Sequence, residues 1–427
     1  LERTPEKLKV LAKAGVVDAG GQGFVHLLEG ISQFIESGKI EYILDREIDK
    51  MEEIKHVKMA EFEITFRFCT EGLVEAEKID RKNIRDALHG LGDSLIVAGS
   101  TRKVRVHIHT NSPDQCFQIL EKHGTITRRK VDDMIRQNET DLGRTDRGKI
   151  ALVVDSTCDI PPEDFSNAPI SFVPVWVYFG NTGYVDRVTL TSDQFYQKIQ
   201  TDKNHPTTSQ PSSADFMKVF SDLMPRYERI ICLTLSKNHS GTYQAALTAK
   251  RILKSDNIEV MESKNTSAGF GLVARQALKN IQENKTFEQV LEGIKISSEK
   301  VRTMVYLDTV NFLIRGGRVS KVKGMMANLL HLRPVLDFAN GEILTMGKVR
   351  NETAGIEAIL NELKSILKIF PNVRIAIVHA NAPGKAEKVS EEIFKRFNYK
   401  AEYIMSATPA LGVHVGPGAI GVAVLPS

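Results

Sequence analysis

The sequence contains no apolar run near the roughly 18 residues of a membrane-spanning helix. Its charged start also lacks the apolar core of a signal peptide. Cysteine is scarce, and the four cysteines are scattered, which favours no disulfide framework and predicts a reducing, cytoplasmic location. The formal net charge of +4 is small and unclustered, so a nucleic-acid partner is not favoured, whereas transient contact with a membrane surface stays open.

At 427 residues the chain is longer than a typical single domain, so two or three domains are expected. Its composition, 42% apolar and 26% charged, is that of an ordinary globular protein. The first residue is not methionine, which leads us to expect a fragment or a processed form.

The most informative stretch runs from residue 206 to residue 253. Residues 230–233 form a short apolar run that predicts a buried strand, and residues 243–253 repeat apolar side chains at helical spacing. Ser240 and Gly241 stand before that helix, where unpaired amides and a partial positive charge attract anions. A simple helix-capping role for Ser240 explains the same pattern.

Four motifs occur in a fixed order: residues 208–212 (TSQPS), 240–244 (SGTYQ), 315–318 (RGGR) and 414–418 (HVGPG). Together they resemble the DegV family of fatty-acid-binding proteins, from about residue 148 to the end of the chain. The resemblance implies a two-lobed α/β fold that buries one long-chain fatty acid.

The resemblance also implies roles for individual residues. By their place in the motifs, Thr208, Ser240 and His414 are similar to the residues that bind the acyl carboxylate, and the tail is expected in an apolar tunnel. Further candidates beside the ligand are Asp155, Ser156, Thr207, Ser209, Gly241, Arg318 and Arg350. Helix caps, turns and structural packing remain the alternative for these residues.

Residues 61–69 and 104–109 alternate between apolar and polar side chains, and residues 79–91 and 114–123 read as helices, which predicts a small α/β domain. Alternation places His107 and His109 on one side of their strand and Cys69 on the non-core side of its own. Cysteine and histidine suit zinc with an open fourth position, and a solvated sheet face is the alternative. Residues 69–71 and 107–111 resemble the middle domain of the fatty-acid kinase catalytic subunit, where such residues bind zinc. Candidates for a fourth or supporting partner are Glu71, Asp93 and Asp132.

Residues 15–23 (GVVDAGGQG) resemble the closing segment of the ATP-binding domain of dihydroxyacetone kinases and of the catalytic subunit of fatty-acid kinase. A flexible turn between helices is the alternative. In that family the magnesium-holding aspartates lie in an earlier segment, which this sequence does not contain. Mg-ATP is therefore expected only together with an N-terminal ATP-binding domain.

The predicted organisation has three parts. A short helical remnant of the ATP-binding domain covers residues 1–35, a middle α/β domain covers residues 36–146, and a DegV-like domain covers residues 148–427. The overall fold class is α/β.

The sequence thus predicts a carrier that binds a long-chain fatty acid and presents its carboxylate for phosphorylation in a fatty-acid kinase system, as a step toward phospholipid synthesis. Expected partners are a kinase ATP-binding domain in cis or in trans, an acyltransferase and a second copy of the chain. The chain alone is expected to be non-catalytic. Two alternatives stay open: a zinc-dependent hydrolase using the middle domain, and a non-catalytic lipid-sensing module. A serine hydrolase is disfavoured because Ser240 lies in no GxSxG turn.

Overall fold

The computed structural model describes residues 65–134, 147–165, 168–323 and 333–426, together with seven helical residues between 21 and 32. The chain divides into two units, Leu1–Thr65 with Met134–Thr145 and Phe66–Asp133 with Asp146–Ser427. Most of the first unit, including most of the glycine-rich motif at residues 15–23 and the polar stretch at residues 50–58, lies outside the described residues. Every strand and helix that is numbered in the next paragraph lies in the second unit.

The strands are β1 Phe68–Glu75, β2 Gly92–Gly99, β3 Lys103–Thr110, β4 Thr125–Asp133, β5 Gly148–Asp155, β6 Ile170–Val173, β7 Trp176–Phe179, β8 Thr182–Val185, β9 Pro206–Ser209, β10 Tyr227–Thr234, β11 Ile258–Glu262, β12 Arg302–Tyr306, β13 Val322–Lys323, β14 Arg333–Ala339, β15 Glu342–Val349, β16 Val373–His379, β17 Tyr403–Ser406 and β18 Ile420–Pro426. The helices are α1 Arg81–Leu88, α2 Pro113–Glu121, α3 Ser192–Thr201, α4 Ser213–Leu223, α5 Thr242–Leu253, α6 Ser267–Gln282, α7 Phe287–Lys300, α8 Asn311–Arg315, α9 Glu352–Ile369, α10 Pro383–Phe397 and α11 Pro409–Val415. Within the described ranges, no helix is both long enough and apolar enough to cross a membrane.

The small domain is an antiparallel sheet in the order β2-β3-β1-β4, covered on one face by α1 and α2. Strand β3 alternates as predicted, with Val104, Val106 and Ile108 buried. Strand β1 begins at Phe68, so the strand predicted over residues 61–69 is shifted toward the C-terminus; Thr65 and Phe66 form a bend, and residues 61–64 lie outside the described chain. Cys69 nevertheless lies off the core face, as predicted.

The rest of the unit contains two large sheets. The first is parallel, in the order β11-β10-β5-β6, and its central strand β5 is buried from Ile150 to Asp155, as expected of a strand covered on both faces. The second has seven strands in the order β13-β15-β14-β12-β18-β16-β17. Helix α6 packs with β5, β10, β16 and β18 in one cluster of buried residues, so the two sheets have one core between them. The α/β fold class predicted from the sequence is confirmed.

A three-stranded antiparallel sheet, β8-β7-β9, packs with α3, α8 and α11 against the seven-stranded sheet. The hairpin predicted at Asn340 and Gly341 is present: both residues have positive φ, 51° and 79°, which is the backbone that a type I′ turn requires. Its turn meets the first sheet, because Asn238 Nδ2 donates to the Gly341 carbonyl at 2.9 Å.

The small domain and the three-stranded sheet meet at a contact that we call the domain seam, formed by Glu121, Arg129 and Tyr184. Arg129 is 6% exposed, and its guanidinium donates to Glu121 Oε1 at 2.6 Å and lies 4.3 Å from the Tyr184 ring centroid. The Tyr184 hydroxyl donates to the same carboxylate oxygen at 2.7 Å. A buried guanidinium needs a paired charge, so this carboxylate is what allows the two surfaces to pack.

Helix α11 is held at its N-terminus by two buried carboxylates from elsewhere in the chain. Asp159 Oδ1 accepts from the Thr408 amide at 3.3 Å, and Asp186 Oδ1 accepts from the Ala410 amide at 3.1 Å. The first amides of a helix have no partner within the helix, and negative charge there is favourable. Both side chains are fully buried. They therefore fix the position of a helix of only seven residues.

The burial of Asp186 predicts a specific pH dependence of stability. Burial raises its pKa from 3.8 to about 7, so above pH 4 the folded chain keeps a proton that the unfolded chain loses, and stability falls as pH rises through 7. Histidines whose pKa is lowered by burial oppose this slope, because the unfolded chain still loses histidine protons above about pH 6.5, but they do so equally in the parent protein and in Asp186→Asn and cancel in the comparison. We expect Asp186→Asn to remove about 1 kcal/mol of the loss between about pH 6.5 and pH 8, measured by denaturant unfolding. An unchanged slope would contradict this assignment.

Candidate functional site

A cavity of about 100 Å³ lies between β9, the turn before α5, α8 and α11. Its polar lining residues are Thr157, Thr208, Gln210, His239, Ser240, Thr242, Thr266, Arg318 and His414, and its apolar walls come mainly from Leu235, Leu313, Phe338, Ile343, Leu411 and Val415. The three residues assigned to an acyl carboxylate by resemblance, Thr208, Ser240 and His414, all line this cavity. Their role in binding stays a prediction.

Thr208 reaches the cavity because β9 alternates. Thr207 and Ser209 are exposed, whereas Thr208 is half-buried and its Oγ1 lies 2.9 Å from His414 Nε2. Strand β9 pairs with β7 with Thr208 opposite Val177. Thr207 and Ser209, which were predicted to lie beside the ligand, are therefore on the strand face that points away from the cavity.

His414 lies on α11, one residue from its end, although the glycines and proline of residues 416–418 predict an irregular turn around it. Pro409 begins the helix and Gly416, with φ of 69°, ends it, and both residues favour these termini. Burial lowers the pKa of His414 to about 3, with further contributions from Arg318 and His205. The imidazole is therefore neutral at physiological pH. Its buried Nδ1 has no hydrogen-bond partner among the described residues.

Gly316 is the reason the His414 ring fits. A Cβ at Gly316 would stand 2.3 Å from His414 Nδ1, closer than any side chain tolerates. The first glycine of the RGGR motif thus allows close approach of the ring. Arg318 lines the same cavity, its guanidinium donates to the Gly316 carbonyl at 2.8 Å, and burial lowers its pKa.

Ser240 is not the residue that caps α5. The helix begins at Thr242, and its N-cap residue is Gly241, which makes no side-chain capping bond. Ser240 Oγ instead lies 2.9 Å from Thr242 Oγ1 and accepts from the Thr242 amide at 3.3 Å. The two hydroxyls form a pair at the helix N-terminus, which suits an anion. Gly241 allows the Gln210 side chain to pack closely, since a Cβ there would stand 2.4 Å from Gln210 Oε1.

Other candidates have structural partners. Asp155 is fully buried; its Oδ1 accepts from the Thr157 hydroxyl at 2.5 Å and its Oδ2 from the Leu235 amide at 2.8 Å. Burial raises its pKa to about 6. Ser156 Oγ accepts from the Val175 amide at 2.9 Å. These two residues join the strand ends around the cavity without lining it, and Arg350 is exposed after β15 and does not line it either.

A second, smaller cavity continues from the first. It measures about 40 Å³, has apolar walls, and shares Thr266, Phe338, Leu411 and Val415 with the first cavity. Together the two fall below the roughly 300–1,000 Å³ of typical small-molecule sites, so a long ligand requires these walls to move. The sequence of residues 324–332 predicts an apolar helix whose methionines either pack in the core or line an acyl channel, and these residues lie outside the described ones.

His239 is a cavity residue that sequence reasoning missed. Burial lowers its pKa to about 4, and its ring packs edge-on against Phe338 with centroids 5.6 Å apart. The available signal was its place inside the turn, directly before Ser240, but nothing in the pattern distinguishes a histidine that enters the cavity from one that faces solvent.

A separate cluster lies on the open face of the small domain. Cys69, His107 and His109 each offer one possible metal-ligand atom, and these three atoms lie within 4.8 Å of one another. The β1–β3 register places Cys69 directly opposite His109, and His107 is two residues along the same strand. Cys69 Sγ lies 3.8 Å from His107 Nδ1, and the two histidine Nε2 atoms are 3.3 Å apart. These two contacts use different nitrogens of His107, so they do not form one tetrahedral set. One thiol and two imidazoles are nevertheless donors that zinc binds, and with one donor atom from each residue within 4.8 Å they suit a zinc ion after side-chain rotation.

Two of the three carboxylates suggested as partners lie beside the histidines. Asp93 Oδ1 is 3.2 Å from His109 Nδ1, and Glu71 Oε1 is 3.4 Å from His107 Nδ1. Such contacts fix ring orientation when the other nitrogen binds a metal. A hydrogen bond from Arg105, opposed in part by burial, lowers the pKa of Glu71. Asp132 pairs with Cys69 in the β1–β4 register.

Comparison with known proteins decides the family. The DegV family profile matches residues 149–427 of this chain. The chain belongs to the DegV family. The profile of the FakA-like middle domain of fatty acid kinase matches residues 65–141. A DegV domain and a middle domain of this kind are thus present in one chain.

Curated relatives share the DegV domain. A DegV domain-containing protein of Staphylococcus aureus (strain COL) is 30% identical over 280 residues, which are 65% of this chain and 99% of that protein. Another, of Caldanaerobacter subterraneus subsp. tengcongensis, is 28% identical over 274 residues, 64% of this chain and 98% of that protein.

Solved structures share the fold. DegV of Bacillus subtilis, a fatty-acid-binding protein, is 28% identical with a TM-score of 0.60 and covers 65% of this chain and 99% of its own. A DegV family protein of Thermus thermophilus, whose structure concerns fatty acid binding, is 26% identical with a TM-score of 0.61 and covers 65% of this chain and 100% of its own.

Proposed function

We propose that this DegV protein binds one long-chain fatty acid, with the carboxylate at Thr208, Ser240 and His414 and the acyl chain in the paired cavities. The fatty acid binding of the Bacillus subtilis and Thermus thermophilus relatives supports the ligand class. The observation that carries the proposal is the Thr208–His414 contact at one end of a cavity whose other end is apolar.

The chemistry of this end suits a carboxylate. A buried carboxylate is costly unless it is hydrogen-bonded and paired with positive charge. The hydroxyls of Thr208 and Ser240 and the neutral ring of His414 are donors, and Arg318 supplies the charge. The chain would then gain about 0.8 kcal/mol for each CH₂ buried along the apolar walls.

The test is mass spectrometry of an organic extract of the purified protein, beside the same extract of Ser240→Ala. A stoichiometric long-chain fatty acid in the parent protein and little or none in Ser240→Ala supports the proposal. Ser212→Ala is a matched control, because Ser212 caps α4 and does not line the cavity. If delipidated protein takes up no fatty acid on incubation, the proposal is wrong.

We further propose that the bound acid is presented to a kinase ATP-binding domain, in cis or in trans, which phosphorylates the carboxylate. The middle-domain match and the resemblance of residues 15–23 to the end of such a domain support this step. The acyl phosphate would pass to an acyltransferase for phospholipid synthesis. A cytoplasmic location belongs to the same proposal and agrees with the four cysteines, all in the described ranges, which form no disulfide. Mg-ATP would be held by the kinase domain.

Zinc at Cys69, His107 and His109 is proposed on the geometry of the cluster. A zinc ion there would hold the β1–β3 face together and polarise an oxygen at its fourth position. Three side-chain donors are typical of catalytic zinc, so a zinc-dependent hydrolase using the middle domain remains the second candidate function. Zinc-dependent hydrolysis of an acyl phosphate that survives Ser240→Ala would favour it over the carrier.

A further inference from the structure

Two polar side chains in the first cavity have no hydrogen-bond partners. The two ring nitrogens of His239 and the hydroxyl oxygen of Thr266 are buried. None of these three atoms has a hydrogen-bond partner among the described residues. Thr266 is 8% exposed. Buried polar groups in folded proteins are nearly always paired, so unpaired ones indicate a ligand atom or water that completes them.

One unpaired group lies at the junction of the two cavities, because Thr266 and Phe338 line both of them. His239 lines the first cavity alone, as Thr208, Ser240 and His414 do. The His239 ring packs against Phe338, which places it beside this junction. An acyl chain that runs from the carboxylate end into the apolar cavity passes both groups.

Neither group has an evident structural duty that explains its burial. Thr266 occupies the N-cap position of α6, where threonine ordinarily accepts a bond from the helix, yet its side chain makes no capping bond and lines the cavities instead. The Thr266 amide, by contrast, is paired with Asn265 Oδ1 at 3.0 Å. His239 is neutral, because burial lowers its pKa to about 4, so its ring offers one donor and one acceptor.

An alkyl chain leaves these groups unpaired, whereas a hydroxyl both donates and accepts and can satisfy the two together. We propose that the cavity selects a long-chain fatty acid carrying a hydroxyl group on its chain, and that His239 and Thr266 bind that hydroxyl. This inference rests on the proposed function, because it concerns the acyl part of the same ligand.

The test compares binding of delipidated protein to stearic acid and to 3-, 10- and 12-hydroxystearic acid by titration calorimetry. At least one hydroxy acid is expected to bind about tenfold tighter than stearic acid, since it completes groups that stearic acid leaves unpaired. His239→Leu and Thr266→Val should abolish the preference while keeping or improving stearic acid affinity. Thr266→Ser, which keeps the hydroxyl, should retain it.

The outcomes separate the two proposals. If stearic acid binds and no hydroxy acid binds tighter, the hydroxyl site is wrong and the fatty-acid carrier stands. If His239→Leu weakens every acid equally, His239 serves the carboxylate, and this inference is likewise overturned. If no acid binds, the carrier function itself fails. Should His239→Leu not fold, Thr266→Val and Thr266→Ser still decide, because valine keeps the shape of threonine without the hydroxyl and serine keeps the hydroxyl without the methyl group.

Discussion

Thr208→Val is expected to lower the affinity of the delipidated protein for palmitic acid by about 10- to 100-fold. Valine keeps the shape and strand preference of threonine but removes the hydroxyl that lies 2.9 Å from His414 Nε2. Both ring nitrogens of His414 then lack a protein partner among the described residues. A hydrogen bond to a charged group contributes about 1.5–3 kcal/mol, which gives the expected range. Titration calorimetry measures it directly.

The neighbouring threonine provides the control. Thr207 is exposed on the other face of β9. Thr207→Val therefore makes the same chemical change in the same strand, but away from the cavity. Its affinity should match that of the parent protein. Equal losses in both variants would mean that the strand, and not the Thr208 hydroxyl, determines binding. An unchanged affinity in Thr208→Val would remove Thr208 from the carboxylate site.

Cys69→Ala is expected to reduce bound zinc from stoichiometric to background levels, measured by elemental mass spectrometry after dialysis. The thiolate is the only sulfur in the cluster, and its loss leaves two imidazoles on one strand. Asp93→Asn should have a smaller effect, a roughly 10- to 100-fold weaker zinc affinity, because Asp93 orients the His109 ring without belonging to the donor set.

Cys116→Ala is the control for Cys69→Ala, because it removes a thiol that does not belong to the zinc cluster. Cys116 is buried in the core of the same domain, and burial raises its pKa to about 11, so it is a poor thiolate donor. This variant should keep its zinc even if it is less stable. Full zinc in Cys69→Ala would contradict the site. Fatty acid binding measured on the same samples shows whether zinc and acyl ligand are independent, as their separate positions in the fold predict.

The sequence predicted what depends on short-range patterns. Alternation placed Cys69, His107 and His109 off the core faces of their strands, but the β1–β3 register, which sets Cys69 opposite His109, depends on long-range pairing that no local pattern encodes. The Asn340–Gly341 turn was predictable because few other residues adopt positive φ at two successive positions.

Features that depend on the neighbours of a residue were not predictable. The glycines and proline of residues 414–418 predict a turn around His414, yet His414 lies in α11, whose first amides are stabilised by the carboxylates of Asp159 and Asp186 in distant parts of the chain. The family motifs predicted that Thr208 and His414 bind the same carboxylate, although 206 residues separate them in the sequence. His239 was missed because its lack of partners exists only in three dimensions.

The hydrogen bonds from the N-terminus of α11 to Asp159 and Asp186 have a consequence for ligand release. Those two carboxylates hold the N-terminus of the helix that carries His414. Asp159 follows β5 of the first sheet, whereas Asp186 follows β8 of the three-stranded sheet that packs with α11. If the first sheet moved away from α11 to release the proposed acyl ligand, the Asp159 bond would break and the helix that carries His414 would lose one of its two anchors. Ligand exchange would then be expected to proceed at the rate of this opening.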